Sequence, residues 1–291
     1  MRWDRVSSRG NVDDRRGRPG RAAAGGVGGL GLVGLLLYLL LGGQGGDISD
    51  VLNQLEGAQQ APTGQTVQLT TDERQYAEFA SAVLGSTNEV WGAIFTAAGL
   101  TYNEPTLVLF RGTTDSGCGG ADSQVGPHYC PVDDPSTPTR EPGVIYLDET
   151  FFDAVLERQL GATGGEVAEA YVIAHEVGHH VQNELGITDE VRSLQQSDPS
   201  SANQLSVSME LQADCFAGVW AGMLEGDIIS PLELRQAIDA AEAVGDDRIQ
   251  RKTTGMVNPE SWTHGSAEQR VTWFMTGHDT QDPNACNPFD S

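Results

Sequence analysis

Between Ala22 and Leu41 the chain runs apolar, ending in Leu35-Leu36-Leu37-Tyr38-Leu39-Leu40-Leu41, and residues 22–46 carry no charged side chain. Twenty apolar residues at about 1.5 Å rise cover the roughly 30 Å of a bilayer's hydrocarbon layer, so the pattern predicts one N-terminal transmembrane helix over 22–41. The periodicity then changes. Thr70 and Glu73 stand at the spacing of a capping box, and Tyr76, Phe79, Ala80, Val83 and Leu84 follow at helical intervals. A second helical stretch is expected over Asn88–Ala98. Pro105–Phe110 and Val144–Leu147 read as strands, with residues 111–143 as a loop between them. Helical patterns recur at Glu149–Leu160, Gly165–Glu184, Gln204–Leu224, from Ser230-Pro231-Leu232-Glu233 onward, and at Ser266–Gly277. The expected class is α+β: a mainly helical domain with a short β-sheet, preceded by the transmembrane helix.

Charge refines this division. Residues 1–21 hold seven Arg against three Asp, while the whole chain of 291 residues is at −24. By the positive-inside rule the Arg-rich segment 1–21 is expected as a cytoplasmic tail, with everything after the helix outside the cytoplasmic membrane. Residues 42–69, rich in Gly, Gln and Thr, read as a flexible linker, and 70–291 as the folded domain. A cleaved signal peptide is the competing reading of the same segment, but Gly42-Gly43-Gln44-Gly45-Gly46 is not an A-x-A-like cut site. The acidic body repels phosphate backbones, which argues against a nucleic-acid partner. The four cysteines, Cys118, Cys130, Cys215 and Cys286, form no C-x-x-C motif. In an exported body they suit two disulfides, for which three pairings exist; four free thiols are the alternative.

The candidate chemistry lies at His175-Glu176-Val177-Gly178-His179. On a helix the two histidines, four apart, share one face and can hold a single zinc ion, with Glu176 placed to act as general base toward water at the metal. Val167, Ala170, Tyr171 and Ala174 supply the helical pattern upstream. His180 sits about 100° round the helix and is expected as a supporting or exposed residue rather than a ligand. A catalytic zinc needs a third protein ligand. Glu210 and Asp214 put two carboxylates on one face of a strongly apolar helix, so Glu210 is the expected third ligand. Asp214 is the expected acceptor from the non-ligating nitrogen of His175 or His179. Surface histidines on an amphipathic helix, and an acidic helix face, are the plain alternatives.

H-E-x-x-H followed by a helix with E-x-x-x-D resembles the gluzincins, the thermolysin-like zinc peptidases. Gly117–Ala121, Tyr129-Cys130-Pro131, Ile145–Asp148, Ala174–His180, Glu210–Ala217 and His264–Arg270 resemble, in order, the bacterial neutral zinc metallopeptidases of the YpfJ type. The resemblance covers about residues 70–290. It implies a membrane-anchored zincin-like peptidase with its short sheet over the metal helix. His175, His179 and Glu210 would be ligands, Glu176 the base, and His264 a support for the oxyanion. The expected partner is a peptide or protein substrate. An extended peptide is expected along the edge of the Val144–Leu147 strand, with Pro135–Gly143 as a loop bearing on preference. A membrane-tethered domain that keeps zinc for stability and hydrolyses nothing is the competing function; hydrolysis of a non-peptide amide is a third.

Overall fold

The computed structural model describes residues 1–18, 68–122, 126–131 and 142–290. The expected transmembrane helix, most of the expected linker and most of the loop Pro135–Gly143 lie outside these residues. Among the described residues no helix is long and apolar enough to cross a membrane.

A short 3-10 turn at Trp3–Arg5 precedes strand β1 (Asn11–Asp14), and helix α1 (Thr71–Ala97) follows after the undescribed stretch. Strands β2 (Thr106–Phe110), β3 (Thr113–Ser116), β4 (Gly119–Asp122), β5 (His128–Cys130) and β6 (Val144–Asp148) come next. Helices α2 (Glu166–Glu184), α3 (Ile187–Ser197), α4 (Ala202–Leu224), α5 (Pro231–Ala243), α6 (Asp246–Thr253) and α7 (Ala267–Thr280) complete the domain. The main sheet has the order β1-β2-β6-β5, and β3 and β4 form a separate hairpin. The mixed, mainly helical class is as the patterning indicated.

Period-2 alternation assigns the strand faces. Leu107, Leu109, Ile145 and Leu147 enter the main core with α1, α2 and α4. Val108, Phe110, Tyr146 and Cys130 form a smaller cluster on the other face. Thr70 caps α1 in a reciprocal box with Glu73, and Ser230 does the same with Glu233 on α5, where Pro231 takes the first turn.

Four expectations change. The two helices expected over residues 70–98 are one helix of 27 residues. Gly85-Ser86-Thr87 reads locally as a break. Ser86 and Thr87 instead turn their hydroxyls back to the carbonyls of Val83 and Leu84. A Cβ at Gly85 would stand 2.6 Å from the backbone carbon of Ser8, so glycine is there to admit the N-terminal segment.

That segment is the second correction. Residues 1–18 are not a tail apart from the domain. β1 pairs in parallel with β2, Asn11 opposite Thr106 through Asp14 opposite Leu109. Val6 is buried and Trp3 packs edge-on against Phe79. One arginine of this segment is used inside the fold. Arg16 is buried, bound to both oxygens of Asp14 at 3.0 and 2.7 Å, to the Glu73 carbonyl at 2.5 Å and to Glu149.

Third, residues 111–143 hold β3, β4 and β5 rather than loop alone. Fourth, the strand expected to offer a free edge has none. Val144–Asp148 pairs with β2 on one side and antiparallel with β5 on the other. Among the described residues the strand at that end of the sheet is β5.

One group of the fold carries a pH dependence. Burial, with Glu166, Asp153, Glu157 and Glu149 nearby, pushes Glu169 on α2 from 4.5 up to about 7. A raised carboxyl pKa means that the fold favours the protonated form. The stability it contributes is full below the unfolded value of 4.5 and is lost as pH rises through 7. Discounted for partial exposure, Glu169→Gln should raise the unfolding free energy by about 1–2 kcal/mol at pH 8 and change it little at pH 4. Urea denaturation at the two pH values reads this; equal curves at pH 8 would contradict it.

Candidate metal and catalytic site

The site is built where α2 and α4 touch. Gly178, inside the histidine motif, lies against α4: a Cβ there would stand 2.8 Å from the Ala213 carbonyl oxygen. The absent side chain lets the helices close, and this approach brings Glu210 to the histidines. Glu210 Oε2 lies 3.2 Å from His175 Nε2, and Glu210 Oε1 lies 3.4 Å from His179 Nε2. One donor atom from each of the three residues lies within 4.8 Å of the other two.

The other ring nitrogens are occupied. His175 Nδ1 meets Asp214 Oδ1 at 2.8 Å, and His179 Nδ1 meets Gln182 Oε1 at 2.9 Å. Both partners are acceptors only. Each imidazole therefore keeps a proton on Nδ1; without a metal an Nε2 proton faces Glu210, and a bound metal would take the Nε2 lone pair in its place. Two neutral imidazole nitrogens and one carboxylate, all preoriented, fit zinc, and three protein ligands are the number a catalytic zinc site uses.

The electrostatics have the same direction. Burial opposes a charge on His175, yet Asp214 and Glu210 push its pKa up to about 10. A metal bound there would displace that proton. Burial likewise opposes ionisation of Glu210, but His179 and His175 hold its carboxyl well below the usual range.

Asp214 is fully buried and has three partners. Tyr171 donates its hydroxyl to Oδ1 at 2.5 Å. Arg270, itself buried, forks onto the carboxylate with Nε to Oδ2 at 2.7 Å and Nη2 to Oδ1 at 2.9 Å. Arg270 Nη2 also stands 3.9 Å from Glu210 Oε2.

His264 lines the same cleft as His175, Glu176 and Glu210. Asp246, at the first position of α6, fixes it: Oδ2 accepts the backbone N–H groups of Thr263, His264 and Gly265, and Oδ1 lies 3.2 Å from His264 Nδ1. Burial works against the Asp246 charge, but His264 and these N–H groups hold its carboxyl below the usual range. Besides Tyr171 and Arg270, much of the rest of the cleft wall is apolar: Phe151, Val155, Leu160, Val172 and Val244.

His180 stands apart from this constellation. It is fully buried, its Nε2 lies 2.6 Å from the Asn103 carbonyl and its Nδ1 lies 3.2 Å from the Tyr129 hydroxyl. Burial lowers its pKa to about 4, so it is a neutral group tying α2 to β5 and to the loop before β2. The four cysteines pair as Cys118–Cys130 and Cys215–Cys286.

Tyr171, Gln182, Asp246 and Arg270 are site residues that sequence reasoning did not single out. A faint signal existed for two of them: an Arg inside a helix of an acidic chain, and a Gly-Asp-Asp helix start.

A family model described as "Putative neutral zinc metallopeptidase" matches residues 1–289. "Uncharacterized protein YpfJ" of Escherichia coli strain K12 is 46% identical over 226 residues, which are 77% of this chain and 75% of that protein. "Uncharacterized protein Rv2575" of Mycobacterium tuberculosis is 47% identical over 199 residues, 65% of this chain and 63% of that protein. No solved structure matches the chain. The family model takes in β1 as well as both metal helices, and its metal agrees with the donor set of His175, His179 and Glu210. On the match and on the site alike, the chain belongs to the neutral zinc metallopeptidase family.

Proposed function

We propose that this chain hydrolyses peptide bonds, with Glu176 as general base. The observation that carries the reading is the placement of Glu176 and an Asp246-backed His264 in the cleft that also presents His175 and Glu210. Zinc held by His175, His179 and Glu210 supplies Lewis acidity toward water and the scissile carbonyl. The Glu176 carboxylate accepts a proton from the attacking water and returns it to the leaving amine. Asp246 accepts from His264 Nδ1 and would stabilise the imidazolium form, in which the other ring nitrogen also carries a proton and donates it in a hydrogen bond to the oxygen on which negative charge develops. The apolar wall of Phe151, Val155, Leu160, Val172 and Val244 suits a substrate with an apolar side chain beside the cleaved bond. Pro127, next to β5, lines the same cleft, so an extended peptide in the cleft would run beside β5.

We place the domain outside the cytoplasmic membrane. Two disulfides support that placement, because such bonds persist in oxidising compartments. Residues 1–18, paired into the sheet, lie on the same side as the rest of the domain. Membrane contact through 22–41 would therefore leave both flanking parts on one face.

The purified full chain should cleave members of a mixed peptide library, lose the activity in a chelator and regain it with added zinc. Bound zinc with no cleavage in any fraction would favour the competing reading of a zinc-stabilised binding domain.

A further inference from the structure

Behind His179 runs a line of amides that ends at the C-terminal segment. Gln182 accepts from His179 Nδ1 at 2.9 Å. Its amide nitrogen donates to the Met209 carbonyl at 2.7 Å and to Gln212 Oε1 at 3.1 Å. Gln212 in turn donates its amide nitrogen to the Cys286 carbonyl at 2.8 Å. Both glutamines are buried, Gln182 completely.

The direction of this line is not arbitrary. A backbone carbonyl can only accept. Met209 and Cys286 each bind an amide nitrogen, so both glutamine side chains are fixed against the flip that would exchange oxygen and nitrogen. With Gln182 locked, an acceptor faces His179, and the imidazole must keep its proton on Nδ1. Flipped, Gln182 would present a donor to His179 Nδ1 and pull the lone pair away from the metal side. The Cys286 carbonyl owes its position to the disulfide with Cys215, one residue beyond Asp214 on α4.

We propose that Gln182, oriented by Gln212 and by the disulfide-anchored carbonyl of Cys286, is the positioning residue for the metal ligand His179. It is the counterpart on this ligand of Asp214 on His175. The C-terminal segment thereby acts on the metal site without touching it. The inference rests on the zinc site of His175, His179 and Glu210.

Zinc affinity, measured on the full chain by competition with a chromophoric chelator, is the readout, alongside the melting curve of the metal-stripped protein. Gln182→Met leaves the His179 N–H unpartnered and should weaken zinc binding about ten- to a hundredfold, the range seen when such outer hydrogen bonds are lost. Gln182→Glu keeps an acceptor toward His179 and should bind zinc more tightly than Gln182→Met, even if it melts lower. Gln212→Met removes one of the two acceptors that hold the Gln182 amide nitrogen, leaving the Met209 carbonyl, and should weaken zinc binding severalfold, less than Gln182→Met; it carries the test if Gln182→Met does not fold. A merely structural role would lower the melting temperatures and leave the affinities alone. A parent that binds zinc and a Gln182→Met or Gln212→Met variant that binds it equally well would overturn the relay alone. A parent that binds no zinc would overturn the site with it.

Discussion

Replacing Arg270 with Met should lower the unfolding free energy of the metal-stripped chain by about 3–5 kcal/mol, the cost of leaving a buried charge without its partner. Arg270 and Asp214 are both buried and joined by two hydrogen bonds of 2.7 and 2.9 Å. Burial disfavours both charges, yet Arg270 and His175 keep the Asp214 carboxyl below its usual range, and Asp214 raises the Arg270 guanidinium well above its own. The pair is therefore strongly coupled. Met keeps much of the length of Arg, so lost packing is a minor part of the effect. Asp214→Asn should be costly for the same reason, since it strands the guanidinium. The double variant should cost clearly less than the two single changes added together, because it leaves neither charge unpaired. Guanidinium denaturation of the four proteins in chelator reads all of this. A loss below about 1 kcal/mol for Arg270→Met, or simple additivity, would contradict the coupling.

The legibility of the fold followed the range of the interactions. α2 and α4 are visible in the sequence because their apolar residues recur at helical spacing, and the helix caps at Thr70 and Ser230 lie within three residues of their partners. The three metal-site residues could be read for a related reason: the two histidines share a face by spacing alone, and Glu210 stands out as a carboxylate in an apolar helix. What depended on distant pairing stayed hidden. Asp214 meets Arg270 across 56 residues and Gln212 meets Cys286 across 74. Nothing near Gln182 marks it, because an uncharged amide becomes significant only once α4 and the C-terminal segment are in place. The place of residues 1–18 in the sheet was hidden for the same reason. Arginines before an apolar stretch have the same local pattern whether they are topogenic or, as with Arg16, ion-paired to a carboxylate 133 residues away. The strand Val144–Asp148 looked like an edge because the three-residue strand that covers it, His128–Cys130, is too short to show a period.

Catalysis by this site is tested most directly at Glu176. It is buried beside the cleft but belongs to no ligand pair, so Glu176→Gln removes a base of nearly the same shape and leaves the donor set intact. General bases contribute about a hundred- to ten-thousandfold, so peptide cleavage by the variant should fall by at least about a hundredfold. Its zinc content, measured on the same sample, should equal the parent's. A variant that keeps zinc and has lost cleavage is the predicted result; a variant that cleaves as fast as the parent would contradict the assignment of Glu176 as the base.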